Sequence, residues 1–179
     1  MQLNYSKIFT KLIKILTFID KFIIYNGKLS IFLSVILICL ISVSVLMRYL
    51  FSIGFTWLQD LYIWIHATVI LLGIAYTFRF DGHVRIDLFY KNSKQKFRDI
   101  INIFGALFFT LPLSYFIYSK GFHYFLRSFQ QNEASKETGG LPAIYILKFI
   151  IFLMGILLFL EALRQLFFII TIKRKKKWK

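Results

Sequence analysis

The sequence predicts an all-α integral membrane protein, in which an interfacial amphipathic helix precedes four transmembrane helices. Three observations point there. Of 179 residues, 58% are hydrophobic, with a mean hydropathy of +0.67, whereas soluble domains lie nearer half apolar. The apolar residues gather in four runs, each close to the roughly 20 residues a helix needs to cross the hydrocarbon core. The 23 Lys and Arg residues, against 8 Asp and Glu, lie mostly between and outside those runs.

Residues 1–28 read as the interfacial helix. Lys7, Lys11, Lys14 and Lys21 fall on one helical face, and Ile8, Leu12, Ile15, Ile19 and Ile23 cover much of the rest. Such a helix lies flat at the cytoplasmic membrane surface with its lysines toward anionic headgroups. Lysines throughout, and no small-x-small site, argue against a cleaved signal peptide. Asn26-Gly27 predicts a bend before the membrane domain, 29–172.

The four expected spans cover 29–51, 57–78, 99–119 and 143–165. In the first, Arg48 is near enough to the end to snorkel to the headgroups. Trp57, Tyr62 and Trp64 crowd the start of the second, and Gly73 and Ala75 are small enough to admit a neighbouring helix. Pro112 predicts a kink in the third, whose apolar stripe continues through Phe129. Gln130 to Pro142 is a polar connector, broken by Gly139-Gly140. Glu161 and Arg164, three apart near the end of the fourth span, are placed to pair. A basic cytoplasmic tail, 173–179, closes the chain.

Charge sets the orientation. Five basic residues in the N-terminal segment, six from Arg79 to Arg98 and six in the tail account for 17 of the 23. Four spans place all of these on one side, and the positive-inside rule makes that side cytoplasmic, with both termini.

Machinery for chemistry is absent from the pattern. His66, His83 and His123 fall at unmatched depths for a bis-histidine haem. The single Cys39 makes no disulfide or cysteine cluster, and no HExxH, phosphate loop or nucleophile elbow occurs. No catalytic residue, metal or cofactor is expected. The basic charge lacks a nucleic-acid module to go with it. Asp60, His66, Glu161 and Arg164 are few for a self-sufficient ion path, and the chain shows no inverted repeat. Contact between helices is the better use for such groups.

One run is distinctive: Trp57-Leu-Gln59-Asp60, Trp64, Gly73-Ile-Ala75, then Arg79-Phe-Asp-Gly82-His83-Val-Arg85-Ile-Asp87. With Pro112, Glu133-Ala-Ser135, Gly139-Gly140-Leu-Pro142 and Tyr145, it resembles the small membrane subunit (DctQ-like) of tripartite ATP-independent periplasmic (TRAP) transporters. The resemblance covers roughly residues 29–165. Where that family often has a Glu after the tryptophan, this chain has Gln59, with the acid at Asp60.

The resemblance implies a non-catalytic scaffold in the bacterial inner membrane. A periplasmic solute-binding protein would capture the solute, an organic acid in the branch this central run looks most like. A large multi-span permease subunit would import it on an ion gradient, while the small subunit steadies that partner against the lipid. Trp57, Gln59, Asp60, Trp64 and Gly73 are then expected at the partner interface. Arg79, Gly82, His83, Arg85 and Asp87 form a structural loop motif capping span two. Glu133, Ser135, Gly139, Gly140 and Pro142 form the connector motif. The alternative is a membrane anchor subunit of a respiratory or redox enzyme.

Overall fold

The computed structural model describes residues 2–80, 82 and 93–173, with side chains from residue 13 to 170 within those bounds. Among the described residues every regular element is helical, and four helices are long and apolar enough to cross a membrane.

The first helix, α1, runs unbroken over Gln2–Phe51. This corrects the expected bend at Asn26-Gly27 and the separate surface helix before it. The Asn26 side-chain amide donates to the Phe22 carbonyl one turn back, at 2.8 Å, so it stays within the helix. Gly27 lies against the Tyr76 ring, where a Cβ would overlap the ring atoms. The glycine thus admits a neighbour instead of breaking the chain. Ile19 and Ile23 are buried in the core instead of resting on a surface.

Ser52, with φ 55°, turns the chain into a short connector, and α2 follows over Thr56–Arg79. The third helix, α3, spans Gln95–Gln130, longer than 99–119. The expected disturbance at Pro112 takes the form of a π-helical turn over Ala106–Thr110. A proline lacks an N–H and crowds the carbonyl four residues back. Here the preceding turn widens, and Leu111 N–H bonds to the Ala106 carbonyl five residues back. The fourth helix, α4, covers Tyr145–Phe167 and continues as a π-helical turn, Phe168–Lys173.

The helices pack in the spatial order α1, α2, α4, α3, with α1 also touching α4. Ile19 and Ile23 of α1, Leu72 and Ala75 of α2, and Met154, Leu157 and Leu158 of α4 form the buried core. Small residues bring α3 and α4 together: a Cβ on Gly155 would lie 2.6 Å from the Tyr118 backbone nitrogen. Phe125 on Phe149 and Phe129 on Tyr145, with ring centroids 5.3 Å apart in each pair, extend that contact toward the connector. Beyond Ser30 no residue of α1 is fully buried, and Phe32, Val35, Ile38 and Tyr49 are all more than half exposed.

Candidate functional site

Polar side chains collect at the two ends of the bundle. At the connector end, the chain from Gln131 to Ile144 folds back on the helices. Ser135 N–H bonds to the Leu141 carbonyl at 3.0 Å, and Ile144 N–H to the Glu133 carbonyl at 3.0 Å. Gly139 takes φ +76°, which an L side chain rarely adopts, and Ala143 sits at φ 70° despite its methyl group.

Two carboxylates anchor this fold-back. Asp60 reaches across from α2, and its Oδ2 accepts from Leu141 N–H at 3.0 Å. Gly140 is needed beside it, because a Cβ there would overlap the Asp60 carboxylate and the Ser135 side chain. Glu133 accepts from the Ser128 hydroxyl at 2.7 Å and forms an ion pair with Lys148. Lys148 Nζ also stands 4.1 Å from the centre of the Tyr124 ring. The Lys148 and Ser128 hydrogen bonds hold the Glu133 carboxyl below its ordinary pKa.

At the opposite, basic end, four charges from three helices meet. Arg79, the last residue of α2, donates from Nε to Asp20 Oδ1 at 2.8 Å. Arg164 Nε donates to Glu161 Oε2 at 2.7 Å, its Nη2 reaches the other oxygen, and Asp20 Oδ1 lies 3.4 Å from Nε. Glu161 and Arg164 are both buried, so each charge depends on the other for its solvation.

The expected site residues divide accordingly. Asp60, 7% exposed, belongs to the connector and not to an outer surface, because the Leu141 amide takes its oxygen. Gly73 is also used within the chain: it admits Ser30, whose hydroxyl bonds to the Val69 carbonyl at 2.6 Å. Trp57 and Gln59 are exposed and Trp64 is half-buried. Glu133, Ser135, Gly139, Gly140 and Pro142 come together in one fold-back. Of the loop motif, Arg79 joins the ion cluster, and Gly82 N–H bonds to the Thr77 carbonyl at 2.9 Å. His83, Arg85 and Asp87 lie outside the described residues.

Sequence reasoning missed Asp20 and the Glu133–Lys148 pair. Asp20 was recognisable only as the lone acid in a lysine-rich helix, with its partner Arg79 59 residues away. It also missed a stripe on α2, where Gln59, Ile63, His66 and Ile70 are all exposed.

No individual curated protein matches this sequence. A family model described as the DctQ component of tripartite ATP-independent periplasmic transporters matches residues 37–171. That range takes in α2, α3, the connector with Asp60 and Glu133, and the Glu161–Arg164 pair, and leaves Asp20 outside. Four membrane-crossing helices, a connector pinned to the second of them, and a match over most of the chain agree: this chain belongs to the DctQ family, the small permease components of TRAP transporters.

Proposed function

We propose that the chain is a non-catalytic scaffold that holds the large multi-span permease subunit in the inner membrane while that subunit imports a solute delivered by a periplasmic binding protein. Both termini lie in the cytoplasm in this reading, as the basic N-terminal segment and tail favour. Import runs on an ion gradient. The solute class, an organic acid, rests on the likeness of the run from Arg79 to Asp87 and of Gly139-Gly140-Leu141-Pro142 to that branch of the family.

His66 is the observation that carries the scaffold role. It is exposed on α2 between Ile63 and Ile70. It lies about 15 Å from the start of that helix and about 20 Å from its end, at 1.5 Å per residue. An imidazole facing acyl chains at that depth is costly, whereas one facing a polar group on another membrane protein is not. The exposed apolar side chains of α1 beyond Ser30, Phe32, Val35 and Ile38 among them, add area to the same role. No such surface is needed by a chain that works alone.

Purification of the tagged chain from native membranes in mild detergent, followed by mass spectrometry, tests this. A stoichiometric large hydrophobic subunit, and organic-acid uptake that depends on both chains, is the expected result. A chain recovered alone, or with a cofactor-bearing enzyme, overturns the reading.

A further inference from the structure

Along α2 the exposed residues Gln59, Ile63, His66 and Ile70 follow one another at spacings of four, three and four. That is the heptad spacing of a helix seam, with Gln59 and His66 in one set of layers and Ile63 and Ile70 in the other. The seam lies away from the contacts α2 makes within the chain. Val69 and Gly73 meet Ser30 of α1, Tyr76 meets Gly27, and Leu72 and Ala75 are in the core. Tyr62, Ala67 and Val69 beside the seam are half-buried, so the open strip is narrow.

Ile63 and Ile70, 46% and 50% exposed, suit lipid as well as protein. His66 does not. Among the described residues its ring makes no hydrogen bond, ion pair or ring contact. A neutral imidazole carries one donor and one acceptor nitrogen, and acyl chains satisfy neither. At about 15 Å from the start of α2, the ring is too deep for its short side chain to reach the headgroups. In a helix seam, one polar layer between apolar layers fixes the register. Any other alignment sets the polar group against hydrocarbon.

Resting on the scaffold reading above, we infer that this strip takes a single transmembrane helix of the large subunit. That helix packs at the shallow left-handed crossing of about 20° which heptad spacing favours. It sets a hydroxyl, carboxamide or carboxyl side chain opposite His66 and apolar side chains against Ile63 and Ile70. The contact runs about 17 Å along α2, from Gln59 at the connector end to Ile70.

The test is photocrosslinking in native membranes that contain both subunits, with p-benzoylphenylalanine in place of Ile63 or of Ile70. Each probe is expected to capture the large subunit, and mass spectrometry should place the two captured residues about seven apart on one helix. His66→Leu is expected to lower both captures about tenfold, whereas His66→Gln, which keeps a donor and an acceptor, should retain most of them. Thermal midpoints should be the same in both variants. Capture of lipid alone, or of two different segments of the partner, overturns the seam. If the tagged chain still carries the large subunit through purification in that case, the scaffold reading stands without it. A chain recovered alone overturns both. Equal capture or equal loss in the two His66 variants overturns the role of the ring's polarity in setting the register.

Discussion

Asp60 and Leu141 are 81 residues apart and meet through one hydrogen bond, from the Leu141 amide to Asp60 Oδ2 at 3.0 Å. That bond holds the connector against α2, although α2 and the connector are separated in sequence by the whole of α3. Asp60→Ala leaves a buried N–H without its acceptor, a loss of about 1–3 kcal/mol. Faster hydrogen exchange across the connector is the expected outcome. Asp60→Asn keeps a carbonyl acceptor and should preserve most of the protection. Equal exchange in all three proteins would remove Asp60 from this role.

Glu133 makes the same region sensitive to acid. Its pKa is lowered in the folded chain by Lys148 and Ser128, so its stabilisation is present above the unfolded value of 4.5 and is lost as pH falls through the folded value. Connector protection should therefore weaken on acidification below about pH 4.5, and in Glu133→Gln that pH dependence should be reduced. A connector whose acid response is identical in the two proteins would count against it.

Backbone conformation gives two substitutions of opposite sign. Gly139→Ala places a side chain at φ +76° and should destabilise by about 1 kcal/mol. Ala143→Gly relieves a methyl already held at φ 70° and should be neutral or stabilising. Thermal midpoints in detergent would separate the two, and a shift of the same sign in both would contradict the assignment.

The buried pair at the basic end should behave asymmetrically. Arg164→Met leaves the Glu161 carboxylate without its partner, a loss of about 3–5 kcal/mol for a buried charge. The double substitution Glu161→Met with Arg164→Met removes both charges and should be closer to the unaltered chain. A double variant worse than the single one would mean the pair contributes net stability.

His66→Leu tests the outer stripe without touching the core. Helical content and thermal midpoint should be unchanged, and recovery of the large subunit in mild detergent should fall severalfold. Undiminished recovery would place the partner on another face.

The four helices were legible because hydrophobic burial and bilayer length act on contiguous residues. Glu161–Arg164 was legible for a related reason: three residues along a helix is a contact written in the spacing. Asp60 was not, since an acid near a span end is equally suited to lipid headgroups, a partner or a distant loop. Only the position of Leu141 decides among them. Asn26-Gly27 misled because the usual meaning of such a pair is a turn, while here the glycine answers a ring 49 positions away, that of Tyr76. Tertiary contact overrode the local signal.

The unbroken course of α1 has a consequence for the membrane around it. From Asp20, where it joins the ion cluster, to Phe51 the helix measures about 47 Å at 1.5 Å per residue. The bilayer, headgroups included, is about 40–45 Å thick. A rod of that length fits by slanting, within the range of about 0–40° seen for membrane helices. A slant of about 25° carries its far end some 20 Å sideways. Since α2 is only 24 residues long, the two helices cannot share one inclination and one depth.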